Sequence, residues 1–138
     1  MATTIAEEFR RYLDGLTATS NICAAAGTTW TEGTNLFVGF EAQATHCLVI
    51  TPYGGGPPTP EGDRQEARVQ ILYKSPKRKK ALNVQQSIIN TLHGNTNVCA
   101  SSHGRVYAIQ STPVMFGVRE GGESVVSISN YRIKHTKI

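Results

Sequence analysis

Between Glu66 and Leu92 the hydrophobic pattern changes period, and this switch constrains the fold more than any other feature of the sequence. From Glu66 to Lys74, Val69, Ile71 and Tyr73 alternate with Arg68, Gln70 and Leu72, the two-residue repeat of a strand with one buried face and one of more polar character. From Ser75 onward, Ala81, Val84, Gln85, Ile88, Ile89 and Leu92 fall on one stripe of a helix, and His93-Gly94-Asn95 supplies its stop. This helix is expected to be the main one packed on a sheet. Burying its large aliphatic side chains contributes on the order of 1.5–3 kcal/mol each before entropy is counted.

The remaining elements follow from the same two periods. Ile5, Phe9, Leu13 and Leu16 predict an amphipathic helix over Thr4 to Leu16, with Thr3 or Thr4 as N-cap, Glu7 and Glu8 at its positive end and Gly15 as its stop. Thr17 to Thr34, rich in Thr, Ala, Gly and Asn and holding the sole tryptophan, Trp30, reads as irregular. Asn35 to Phe40, His46 to Thr51, Arg105 to Phe116 and Glu123 to Ile133 read as strands, the last two joined by a hairpin-type turn through Arg119-Glu120-Gly121-Gly122. The aromatic residues are spread over these strands, as in a sheet core. The order is helix, three strands, helix, two strands, an α+β pattern that the 138 residues fit as a single domain over 1–138.

Charge is distributed unevenly. Fourteen Lys and Arg against ten Asp and Glu give a formal net charge of +4, yet no acid occurs from Ala67 through Val118. The sharpest local feature is Lys74, Lys77, Arg78, Lys79 and Lys80, which places cations in the first turn of the second helix. There they oppose the helix dipole by up to about 1 kcal/mol each. Such charges are either fully solvated or offered to an anion, DNA phosphate or a carboxylate-rich neighbour. No helix-turn-helix, ribbon or RNA-recognition motif accompanies them, so any DNA contact is expected to be electrostatic and independent of sequence.

Tyr53, Gly54, Gly55, Gly56, Pro57, Pro58 and Pro60 form a second unusual segment. Prolines, not Gly-Lys-Ser or Gly-Lys-Thr, follow the glycines, which rules out a phosphate-binding loop. An extended surface turn fits, and so does an arm reaching onto another subunit, because a stiff polyproline segment loses little entropy on docking. Cys23, Cys47 and Cys99 are odd in number and far apart, as expected of thiols kept reduced in a cytoplasm. Cys99 and His103 lack a second ligand pair, so neither a metal nor any cofactor is expected. No nucleophile-elbow motif is present, and no enzyme activity is expected. No run approaches the roughly 20 apolar residues of a membrane span, and the N-terminus has no signal-peptide pattern.

Five stretches taken in series carry a resemblance: Ile50 to Pro58 with its Gly-Gly-Gly-Pro-Pro, Arg68 to Lys74, Ile88 to Gly94, Tyr107 to Gly117, and Ser127 to Ile133. In this order and spacing, over roughly residues 46–133, the chain resembles the small phage minor capsid proteins that belong with the tail terminators of long-tailed bacteriophages. It departs from them in the cationic helix start and in the tail of Lys134, His135 and Lys137.

The resemblance implies a twisted, mostly antiparallel sheet with helices on one face, assembling into a hexameric ring. Such a ring caps the tail tube and joins it to the head connector, in a virion put together in the host cytoplasm. The implied partners are further copies of the chain, the tail tube protein and the head-tail connector or stopper protein, with no membrane. Within such a ring, Lys77, Arg78, Lys79 and Lys80 are expected to face either the channel through which packaged DNA passes or an acidic head-side partner. The proline segment is expected to contact a subunit or the tube. A head-completion or stopper protein of the same neck is the first alternative, and a sequence-independent nucleic-acid-binding domain with steeply salt-dependent binding is the second.

Overall fold

Thr4 begins the first helix by accepting a hydrogen bond from Glu7 N at its Oγ1, 3.1 Å away. The computed structural model describes residues 4–39, 46–53, 65–75, 77–99, 103–118 and 124–135. In it α1 (Ile5–Asp14) is closed by Gly15, whose N–H donates to Arg11 O. Ile5, Phe9 and Leu13 are buried along one stripe, and Leu16 packs against the same core.

The segment expected to be irregular contains a second helix, α2 (Asn21–Ala26). Ser20 caps it, its Oγ accepting from Cys23 N at 3.3 Å, and Gly27 ends it at φ 75°, a left-handed conformation that favours glycine. Six residues are too few to hold a helix in isolation. This one forms because Ile22, Cys23 and Ala26 are buried in the core that also holds α3. Trp30, just beyond, is fully buried between His46 and Tyr73, with ring centroids 5.6 and 5.9 Å away.

Among the described residues six strands follow the expected runs with changed boundaries: β1 (Leu36–Val38), β2 (Cys47–Pro52), β3 (Gln65–Ser75), β4 (Arg105–Ala108), β5 (Val114–Val118) and β6 (Ser124–His135). They lie in the order β1-β2-β3-β6-β4, with β5 also on β6. Among these strand pairs β1 and β2 run parallel and the others antiparallel. The stretch expected as one strand from Arg105 to Phe116 is therefore two, both on the same side of β6. Between Ala108↔Tyr131 and Val114↔Ile128, six steps along this lane match three on β6. Pro113, which has no N–H to give the ladder, sits in the break. The turn from Arg119 to Gly122 lies outside the described residues, and β5 and β6 pair antiparallel up to it, ending at Val118↔Ser124.

Helix α3 (Arg78–Leu92) covers one face of the sheet, and the helix stripe and strand alternation both come out as expected: Ala81, Val84, Gln85, Ile88, Ile89 and Leu92 are buried, as are Val69, Ile71 and Tyr73 beneath them. Gln85, in the middle of this stripe, is a fully buried polar residue with every bond accounted for. Its Nε2 donates to Ile71 O and Ser127 O, both at 3.0 Å, and its Oε1 accepts from Ser129 Oγ at 2.8 Å. The amide thus clamps α3 over the seam between β3 and β6, fixing the helix at one rotation and one height.

The outer edge of β4 is already occupied by the chain leaving α3. Gly94 N donates to Val106 O at 2.7 Å, Val106 N to Asn95 O at 3.1 Å, and Ala108 N to His93 Nδ1 at 3.0 Å. At the opposite edge β1 is only three residues long, and Gly33 folds back to donate to Leu36 O. Both devices limit unwanted strand addition.

Two substitutions test this packing. A Cβ at Gly104 would stand 2.8 Å from Cys99 Cβ and 3.1 Å from Ile133 Cγ2, so Gly104→Ala is expected to lower stability by about 1–3 kcal/mol through overpacking, read as a drop in Tm. Gln85→Leu leaves Ser129 Oγ and two carbonyls without their partner and is expected to lose about 2 kcal/mol or more in urea unfolding. Adding Ser129→Ala to Gln85→Leu should recover part of that loss.

Candidate functional site

The cationic run at the start of α3 divides between different environments. Ser75 is buried at the end of β3, and its Oγ bonds both the N–H and the carbonyl of Lys77, turning the chain from strand into helix. Lys77 is the N-cap residue and has no side-chain cap bond, so Arg78, Lys79 and Lys80 fill the first turn. Lys77 and Lys79 are exposed there, while the Arg78 side chain lies outside the described residues. Lys74 is half-buried on the sheet face away from α3, in register with Cys47 and Val126.

Lys80 turns inward. Its Nζ lies 3.8 Å from where a Gly27 Cβ would stand, at the carbonyl end of α2, where a cation is favoured by the helix dipole. His46 is held below the usual histidine range, first by burial and then by the charge of Lys80. His46 Nε2 is hydrogen-bonded to Tyr73 Oη, and burial pushes that phenol up to about 12. These groups join α2, β2 and β3 to the start of α3, and their chemistry is that of packing and fixed hydrogen bonds.

Of the proline-rich segment, Tyr53 is described: it is 42% exposed, and its N–H donates to Arg68 O at 3.1 Å. Gly54, Gly55, Gly56, Pro57, Pro58 and Pro60 lie outside the described residues. Cys99 is fully buried, with its thiol pushed up by burial and then by Glu8, whereas His103 is exposed at φ 52°. The structure does not bring this pair together. Among the described residues no group of three or more His, Cys, Asp and Glu is placed to hold a metal ion.

The sheet face opposite α3 holds a group of cations that sequence reasoning did not assemble. Register places Arg68, Arg132 and Tyr107 side by side across β3, β6 and β4, with Glu66, Lys134 and Arg105 in the next row of that face. Arg68, Arg105, Arg132 and Lys134 are all exposed. Glu66 Oε1 forms an ion pair with Arg132 Nε at 3.3 Å, and the Arg132 guanidinium carbon lies 5.9 Å from the Tyr107 ring centroid. Arg68, Tyr107, Ala108, Ile109 and Arg132 line a hollow of about 280 Å³, with Ile109 53% exposed at its rim. The signal in the sequence was the alternation of Asn130, Arg132 and Lys134 with buried Tyr131, Ile133 and His135. It becomes a surface only once β6 is known to lie between β3 and β4.

An acidic group lies on the helix side of the sheet. Arg10 of α1 is bonded by Glu7 at 3.0 Å, Asp14 at 3.5 Å and Glu32 at 2.9 Å, so three carboxylates surround one guanidinium. The geometry of both surfaces suits binding by charge and shape, with Ile109 and Tyr107 adding apolar contact on the cationic side.

Comparison with known proteins agrees with this architecture. The family described as bacteriophage tail terminator protein matches residues 9–135. No curated protein matches the chain. Among solved structures, a chain of the virion of a native gene transfer agent particle superposes with a TM-score of 0.66 at 12% sequence identity, covering 99% of this chain and 100% of that one. At that identity the likeness is one of fold. The family match spans α1 from Phe9 to the end of β6, and the chain belongs to the bacteriophage tail terminator family, structural proteins of the virion tail.

Proposed function

We propose that the chain, acting as one tail-terminator-like domain, forms a hexameric ring that caps the tail tube and presents the surface on which the head connector or stopper protein docks. The family match across residues 9–135 carries this reading. It fits the arrangement of charge, with surfaces of opposite sign on the two sides of the sheet. In this role the chain is a structural part and not an enzyme.

Lys77, Arg78 and Lys79, at the start of α3, are the contacts for an anion on the head side, either an acidic partner surface or DNA in the channel. Lys74 and Lys80 support this region from the sheet and from α2. Tyr53 and the following Gly54 to Pro60 form the contact with a neighbouring subunit or the tube.

Light scattering of the purified chain, with and without tail tube protein, tests the ring. The expected mass is that of about six copies, reached alone or on adding tube protein; a chain that stays monomeric with tube protein present overturns the proposal. Lys77→Glu combined with Lys79→Glu is expected to leave the melting temperature within a few degrees. Infectious particles should fall at least tenfold on complementation, with unjoined heads and tails visible by electron microscopy. Unchanged infectivity would place these two lysines among solvated charges.

A further inference from the structure

Antiparallel neighbours on one sheet face repel when they carry the same charge. The face opposite α3 sets Arg68 directly against Arg132, and Lys134 directly against Arg105, with Glu66 as the acid within these two rows. Glu66 is engaged with Arg132, and no ion pair joins Arg68, Arg105 or Lys134 to a described carboxylate. A surface built this way gains when an anionic partner covers it. The partner must also be partly apolar, because Ile109, 53% exposed, lines the hollow beside Arg68 and Arg132. A DNA backbone offers Ile109 only the edges of its sugars, a small apolar surface between phosphates.

The chain itself carries a surface of the required chemistry. Glu7, Asp14 and Glu32 crowd around Arg10, with side-chain exposures of 39%, 37% and 57%, and remain one carboxylate in excess when the exposed Arg11 of the same helix is counted. Half-buried Tyr12 and Leu16 flank Asp14. This group sits on the helix side, where α1 packs near β1 and β2, while the cations lie on the opposite face over β3, β6 and β4. The two patches therefore do not meet within one molecule. They are related as the two halves of a head-to-tail contact, the type that repeats around a rotation axis and closes into a ring.

We propose that the Arg68, Arg105, Arg132 and Lys134 face of one copy receives the Glu7, Asp14 and Glu32 face of the next copy. This inference rests on the ring reading above and names its interface. A carboxylate enters the hollow between the two guanidiniums, where Arg presents a forked pair of donors. Ile109 and Tyr107 pack on the apolar flank of α1. Because the charges are exposed, added salt weakens the contact.

Complementary charge reversal tests the inference. One variant carries Arg68→Glu and Arg132→Glu; the other carries Asp14→Lys and Glu32→Lys and keeps Glu7 on Arg10. Each alone presents like charges on both of its patches and is expected to assemble at least tenfold less readily than wild type, by light scattering with tail tube protein present. An equimolar mixture restores opposite charges at every contact of an alternating ring and is expected to assemble within threefold of wild type. Single reversals, Arg132→Glu mixed with Glu32→Lys, repeat the test with smaller perturbation of the fold, and thermal melting of each variant confirms folding.

A mixture no better than its components overturns the interface, as does either variant assembling like wild type. If the Arg variant assembles normally but loses salt-sensitive binding of duplex DNA, the face belongs to nucleic acid and the inference fails. Wild-type protein that never assembles overturns the ring reading, and the interface with it.

Discussion

The antiparallel seam between β3 and β6 organises the molecule. The two strands pair through eleven consecutive partners, from Gln65↔His135 to Ser75↔Val125, bringing together segments about sixty residues apart in the chain. Such a pairing has to offset the entropy of closing a long loop, and α3, which lies within that loop, covers one side of the pairing. Gln85 bonds a carbonyl on each strand, so the helix is attached to the seam itself and not to either strand alone. With this axis set, β2 and β1 extend the sheet to one side and the β4 and β5 lane to the other.

How much of this could be read from the sequence depended on whether the signal was local. The alternation of Val69, Ile71 and Tyr73, the stripe from Ala81 to Leu92 and the cap at Thr4 are local, and the structure has them where they were expected. Helix α2 was hidden because its six residues acquire their conformation from burial of Ile22, Cys23 and Ala26 against other elements. The division of the long strand into β4 and β5 was marked only by Pro113, and its six-for-three offset is a property of β6 as much as of the broken lane.

The same distinction applies to charge. Lys77, Arg78, Lys79 and Lys80 stand together in sequence, so they read as one patch, yet Lys80 is directed to the end of α2 and helps fix the interior. Arg68, Arg105 and Arg132 stand far apart in sequence and are collected into one surface by strand register. Proximity along the chain therefore does not give the environment of each cation, and it concealed a second cationic surface. The acidic group around Arg10 was half legible: Glu7 and Asp14 follow helical spacing from Arg10, while Glu32 arrives from the turn before β1.

The covered edge of β4 bears on how such a protein survives being crowded. A sheet edge left open is a template on which strand can join strand without limit. Along β4 the backbone groups of Val106 and Ala108 are already engaged by His93, Gly94 and Asn95, and that stretch offers a visiting strand no template. Any contact made along this stretch is thereby shifted from main-chain atoms, which are the same in every protein, to side chains, which are particular to this one. In the proposed ring, contacts made by side chains can select their neighbours and stop at a fixed number, where a sheet extended by main-chain bonding carries no such limit.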